Sequence, residues 1–126
     1  MSAIRYLVSR LDSMGHALRG LGLLLVSEPN ARIHGAATVA VCAAGFYFGV
    51  TGMDWRWLTL AISAVWAAEA INTALELLAD AVSPDHHPLI GKAKDAAAAT
   101  VLVAAIAASV IGGLVFWPYL ATRAGG

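Results

Sequence analysis

The sequence predicts an all-α integral membrane protein, with an N-terminal amphipathic interfacial helix followed by three transmembrane helices. The chain has 126 residues, of which 60% are hydrophobic and only 13% are charged. Its mean hydropathy of +0.73 is too high for a small soluble domain, which needs a polar surface. The sequence also contains three apolar stretches long enough to cross a hydrocarbon core of ~30 Å. Its length suits a single membrane domain, residues 1–126.

Residues 1–27 form the predicted surface helix. Apolar residues such as Leu7 and Leu11 recur at helical spacing, and polar residues take the opposite side. A helix of this kind lies in the plane of the membrane interface. Pro29 then disfavours the helical conformation at Glu28, so we expect the Glu28 carboxylate to lie at a turn.

The three predicted transmembrane helices are residues 33–53, 57–79 and 96–120. Each must be helical, because the hydrocarbon core offers no water to its backbone groups. The N-terminus and the second loop lie on one side of the membrane and hold most of the flanking basic residues: Arg5, Arg10, Arg19, Arg32, Lys92 and Lys94. The positive-inside rule therefore predicts a cytoplasmic N-terminus in the inner membrane. The net charge of zero gives no indication of a nucleic-acid surface.

The second predicted span carries an unusual polar face. Glu69, Asn72, Glu76 and Asp80 follow each other at intervals of 3, 4 and 4 residues, which places them on one side of a helix. An acidic side chain near the bilayer centre costs ~3 kcal/mol on insertion scales, so such residues are functional by default. Three helices cannot shield this face from lipid. We therefore predict a homo-oligomer with its sites at subunit contacts.

The residues on the cytoplasmic side leave two function classes open. Carboxylates such as Glu28 and Glu76 suit Mg²⁺. Lys94 and Asp95 lie where the third span is predicted to begin, and a cation beside free backbone N–H groups favours a phosphate. The sequence lacks a P-loop. One class is a metal-dependent phosphotransferase that acts on a lipid hydroxyl. The alternative is a small oligomeric proton- or ion-conducting membrane protein.

The series Glu69-x-x-Asn72-x-x-x-Glu76-x-x-x-Asp80, with the later Lys94-Asp95 pair, closely resembles the small bacterial integral-membrane diacylglycerol kinase family. That family includes the undecaprenol kinases. The upstream segment Glu28-Pro-Asn-Ala-Arg32-Ile-His34 resembles it as well. The resemblance implies a surface helix and three transmembrane helices, assembled as a homotrimer with shared active sites. It also implies transfer of the γ-phosphate of ATP to a membrane lipid alcohol.

The resemblance further implies a role for individual residues. Glu69 is expected to be the general base on the lipid hydroxyl, with Asn72 beside the reacting group. The expected ligands of Mg²⁺ are Glu28 and Glu76. The remaining residues are expected to contact the nucleotide or to support the residues that contact it: Asp80, His87, Lys94 and Asp95.

The lipid itself stays open between diacylglycerol and undecaprenol. His16 and His34 stand where the best-known diacylglycerol-specific members carry a tyrosine and an acid. The Arg32-Ile33-His34 and His87-Pro88-Leu89 runs look more like the undecaprenol kinase branch. These similarities favour undecaprenol slightly as the substrate.

Overall fold

The computed structural model describes residues 2–126, and these residues form helices and no strand. The helices are α1 (Ala3–Ser27), α2 (Pro29–Phe48), α3 (Gly52–Val82) and α4 (Pro88–Ala124). The predicted all-helical class is confirmed.

Two of these helices, α3 and α4, are long and apolar enough to cross a membrane. Their outer faces carry large apolar side chains that are exposed in the single chain, such as Ile71 at 63% and Leu114 at 72%. Extended exposed apolar surface of this kind marks contact with a membrane or with another subunit, and it agrees with the predicted membrane character. That residues 33–53 form a third span stays a prediction.

Glu28 is the single non-helical residue between α1 and α2. Its backbone is extended (φ −107°, ψ 112°), the conformation favoured before a proline. Arg32 Nε donates to the carbonyl of Leu25 at 2.9 Å, and Arg32 Nη2 donates to the carbonyl of Val26. These bonds satisfy carbonyl groups at the end of α1. The sharp junction therefore fixes the Glu28 backbone where the two helices meet.

A short turn joins α2 to α3. Gly49 takes the left-handed conformation (φ 62°, ψ 47°) that ends α2. Thr51 and Asp54 then form a capping box, with both of its hydrogen bonds at 3.1 Å. The predicted bound at residue 53 is too late by five residues, because the turn lies inside an uncharged apolar run and leaves no break in hydropathy.

Helix α4 begins earlier than the predicted residue 96. His87 is its N-cap, since His87 Nδ1 accepts a hydrogen bond from the backbone N–H of Leu89 at 3.2 Å, and Pro88 occupies the first helical position. Lys94 and Asp95 therefore lie in the second turn of α4. The backbone N–H groups there are used within the helix. The free N–H groups therefore lie one turn before Lys94, and a phosphate site beside that residue stays a prediction.

Helices α3 and α4 are antiparallel and share the most extensive interface of the chain. Polar pairs join them at both ends: Asp54 with Tyr119, and Asp80 with Lys94. The two pairs are 26 residues apart on α3, or about 39 Å along its axis. That distance exceeds a hydrocarbon core of ~30 Å, so both pairs can lie at the membrane interfaces.

Candidate active site

Three polar side chains are buried in the middle of α3. Glu69 is 1% exposed, Asn72 8% and Thr73 3%. One oxygen of each, Glu69 Oε2, Asn72 Oδ1 and Thr73 Oγ1, lacks a hydrogen-bond partner among the described residues. Buried polar atoms without partners are rare and call for an explanation in terms of function or of a missing ligand. This segment of α3 is therefore the centre of the candidate site.

The carboxylate of Glu69 faces α2. Its Oε2 atom lies 3.5 Å from Nε2 of His34, which is an ion-pair distance and too long for a well-formed hydrogen bond. His34 was noted in the sequence for its resemblance to the undecaprenol kinase branch, and the spacing gave no reason to pair it with Glu69.

A second link between α2 and α3 lies about one helical turn away. Trp66 Nε1 donates to Thr38 Oγ1 at 3.0 Å, and Thr38 Oγ1 donates to the carbonyl of His34 at 2.7 Å. His34 and Thr38 are four residues apart on α2, and Trp66 and Glu69 three apart on α3, so both links lie on the same facing surfaces. The indole of Trp66 therefore holds the turn of α2 that carries His34.

Glu69 and Asn72 open into a groove of about 290 Å³ between α2, α3 and α4. Its polar lining consists of these two residues with His34 and Asn30. Its α4 wall is apolar and includes Val101 and Ala105. Asn30 was not predicted as a site residue; its only sequence signal is its place directly after Glu28-Pro29.

A second, apolar cavity of about 280 Å³ adjoins this groove. The two share His34 and Ala105. Its lining is aliphatic apart from His34, Thr38 and Ser109, and it includes Leu58 and Val65 from α3. Polar groups at one end and an aliphatic space at the other match an amphiphile with a single reactive head.

Two further carboxylates lie near Glu69. Glu28, at the junction of α1 and α2, and Glu76, two turns along α3, both act on the Glu69 carboxylate through their charge. Both residues are half-buried. Within residues 2–126, no three His, Cys, Asp or Glu side chains come together as a complete metal site. The set of two carboxylates still suits Mg²⁺, which takes one or two protein carboxylates together with substrate phosphates and water.

Lys94 joins this acidic group from α4. Its Nζ atom donates to Oδ1 of Asp80 at 2.8 Å, and its charge also interacts with that of Glu76. Five of the predicted site residues are therefore linked by contact or charge: Glu28, Glu69, Glu76, Asp80 and Lys94.

Two predicted site residues, His87 and Asp95, are not linked to this group by a hydrogen bond or an ion pair among the described residues. His87 caps α4 through Nδ1. Asp95 is exposed on α4, and among the described residues it has no hydrogen bond or ion pair. Thr73 is the reverse case, a buried polar residue of α3 that was not predicted; its position next to Asn72 on the polar face was the available signal.

The chain matches the family described as prokaryotic diacylglycerol kinase over residues 15–116. It is 39% identical over 108 residues to an undecaprenol kinase of Bacillus subtilis, an alignment that covers 86% of this chain and 88% of that protein. It is 37% identical over 111 residues to a diacylglycerol kinase of Synechocystis, covering 87% of this chain and 63% of the relative. Identity to the diacylglycerol kinase of Escherichia coli K12 is 26% over 109 residues, covering 86% and 89% of the two chains.

Proposed function

The chain belongs to the prokaryotic diacylglycerol kinase family and is a lipid kinase, and from this premise we propose that it transfers the γ-phosphate of Mg-ATP to the hydroxyl of undecaprenol. The observation that carries the proposal is the buried Glu69 carboxylate, which faces a groove that shares His34 and Ala105 with an aliphatic cavity. Family membership decides against the ion-conducting alternative, which accounted only for the intramembrane acids.

Glu69 is the general base in this proposal. It would accept the proton of the lipid hydroxyl as that oxygen attacks the γ-phosphorus and the bond to the β-phosphate oxygen breaks. Its burial excludes bulk water, and its Oε2 atom has no hydrogen-bond partner among the described residues. Asn72 lies one turn away in the same groove, where its side-chain amide can orient the hydroxyl.

Glu28 and Glu76 are the residues that would hold Mg²⁺. When bound, the ion neutralises phosphate charge and so favours phosphoryl transfer. The oxygen-only donor set and the proximity of both carboxylates to Glu69 support this assignment. Lys94 supplies a positive charge from the α4 side, and Asp80 holds its Nζ atom. Asp95 and His87, close in sequence to Lys94 on the same helix end, are assigned to nucleotide binding by the family resemblance alone.

Undecaprenol is preferred over diacylglycerol for two reasons. The undecaprenol kinase relative is 39% identical along 88% of its length, whereas the diacylglycerol kinase of Synechocystis, at 37% identity, is covered along 63% of its length and that of Escherichia coli is 26% identical. The groove also offers few polar groups, and the cavity on the other side of His34 is lined largely by aliphatic residues. A prenol has one hydroxyl on a hydrocarbon chain, whereas diacylglycerol also brings two ester groups that need polar partners.

We place the protein in the inner membrane as a homotrimer with three spans and a cytoplasmic N-terminus. Helix α2 has 20 residues and is about 30 Å long, which is enough for a third span. Assembly is supported by the exposed apolar faces of α3 and α4 and by the few carboxylates that one chain gathers. Cross-linking and native mass measurement in detergent test it, and a fully active monomer would contradict it.

The test of the function is phosphate transfer from labelled ATP by the purified protein in mixed micelles. Undecaprenol and diacylglycerol are offered separately, with and without Mg²⁺. We expect labelled undecaprenyl phosphate in the presence of Mg²⁺ and much less phosphatidic acid. Preferential labelling of diacylglycerol would mean that this lipid, and not undecaprenol, is the substrate. No label on either lipid, with the assembly intact, would overturn it for both.

A further inference from the structure

We infer that His34 is a positioning residue, which holds the carboxylate of Glu69 in the orientation that proton transfer requires. The inference rests on the proposed function, in which Glu69 is the base. Its starting point is the contact of 3.5 Å between His34 Nε2 and Glu69 Oε2. His34 is the nitrogen-bearing side chain that the structure pairs with this carboxylate, which is otherwise enclosed by the protein.

The burial of the pair limits what else can orient Glu69. The side chain of Glu69 is 2% exposed and that of His34 is 19% exposed, so bulk water has little access to the carboxylate. A carboxylate on a flexible side chain needs a fixed partner to stay within reach of one hydroxyl. Hydrogen bonds of catalytic groups are often long before the substrate binds, so a distance of 3.5 Å suits a contact that shortens in the complex.

The position of His34 is itself held. Thr38, one turn along α2, donates to the His34 carbonyl and accepts from the indole of Trp66 on α3. This chain of bonds fixes the backbone of α2 at His34 relative to the same helix that carries Glu69. On this arrangement, loss of the Thr38 hydroxyl disturbs the pair indirectly, and loss of the imidazole disturbs it directly.

The experiment compares turnover and apparent affinity for ATP in His34→Ala and His34→Gln, with undecaprenol as the acceptor. We expect His34→Ala to lower kcat by about 10-fold to 100-fold, the scale of a misplacement of about 1 Å, while KM for ATP stays unchanged. The amide N–H of glutamine can still donate to Glu69, so His34→Gln should recover most of kcat. A general loss of structure would not be rescued in this way.

Tyr119→Phe is the matched control. It also removes a hydrogen bond between two helices, but at the far end of α3 and α4, and Tyr119 has no place in the site. We expect its kcat to be that of the wild type. An unchanged kcat in His34→Ala would overturn the inference, as would a change confined to KM, or a glutamine variant as slow as the alanine variant.

Thr38→Val decides the matter if His34→Ala does not fold. It keeps the shape of the side chain and removes the bonds to His34 and Trp66, so we expect a smaller loss of kcat at constant KM. A kcat equal to that of the wild type would overturn the inference. The wild type and Glu69→Gln are measured in parallel. An inactive wild type or an active Glu69→Gln would refute the proposed function. If the wild type is active, Glu69→Gln is inactive and His34→Ala has the kcat of the wild type, only the role of His34 is refuted.

Discussion

The Nζ atom of Lys94 on α4 lies 2.8 Å from Oδ1 of Asp80 on α3. This pair connects the end of one apolar helix to the second turn of the next, beside Glu76. Both side chains are accessible, at 35% and 67%, so the pair contributes little to stability. The role of the pair is instead to orient the ammonium group of Lys94.

Lys94→Met should therefore reduce kcat/KM for ATP by about 100-fold or more, as the loss of a donor to a transferring phosphoryl group does. Asp80→Asn keeps a hydrogen-bond acceptor and should cost far less. Steady-state kinetics with ATP varied at saturating lipid measure both. Equal losses in the two variants would mean that Lys94 acts through Asp80 and not on the nucleotide.

Glu69→Gln keeps the size of the side chain and removes its capacity to accept a proton. We expect kcat to fall by about 10²-fold to 10⁴-fold, the usual contribution of a general base. Nucleotide binding, measured by equilibrium titration, and oligomer size should remain those of the wild type. Loss of nucleotide binding together with turnover would indicate a defect of folding instead.

Glu28→Gln and Glu76→Gln each remove one charged oxygen ligand of the proposed magnesium site. The Mg²⁺ concentration for half-maximal activity should rise by about 10-fold or more in each, since a weakening of ~1.4 kcal/mol gives that factor. A magnesium titration at constant ATP measures it. The exposed acid Asp12 on α1 supplies a matched control, Asp12→Asn, which should leave the magnesium requirement unchanged. If the two site variants titrate like the wild type, the ligands lie elsewhere.

Tyr119→Phe should lower the melting temperature of the purified protein without changing kcat. Tyr119 Oη donates to Asp54 Oδ2 at 2.6 Å and accepts from the N–H of Thr51 at 3.3 Å, so it ties the end of α4 to the turn before α3. Thermal unfolding followed by loss of the oligomer measures the effect. An unaltered melting temperature would show that this bond does not help to hold the turn.

Gly45→Ala should destabilise the protein. A Cβ atom at this buried position of α2 would come within 2.5 Å of Cη2 of Trp55, so the indole ring must shift. We expect a loss of about 1–3 kcal/mol in the free energy of unfolding, as for other overpacked sites. Gly22→Ala on α1 is the control, since a Cβ atom there meets no neighbour within 4 Å. Equal stability of the two variants would contradict the close packing of Trp55 on α2.

The helical class and the polar face of α3 were predictable, because they depend on hydropathy and on the period of one helix. Glu69, Asn72 and Glu76 share this face by spacing alone, and the structure buries Glu69 and Asn72 there. The helix ends were less predictable. Gly49 ends α2 within an uncharged run, and His87 starts α4 through a side-chain cap that hydropathy does not register.

Partners on other helices were the part that the sequence did not reveal. The contact of His34 with Glu69 and the bond of Trp66 to Thr38 join residues 35 and 28 positions apart. Such pairs depend on the angle and register between α2 and α3, which no periodicity within one helix determines. Asn30 was missed for the same reason, because it reaches the groove from α2.

The pairs Asp54–Tyr119 and Asp80–Lys94 distinguish the α3–α4 interface from the other helix contacts of the chain. They hold α3 and α4 together at both ends, whereas α1 and α2 have smaller interfaces with the rest of the chain. Glu28 is the single extended residue between α1 and α2, so its backbone sets the angle between these two helices. A ligand held by the Glu28 carboxylate would therefore lie at the point that orients the surface helix.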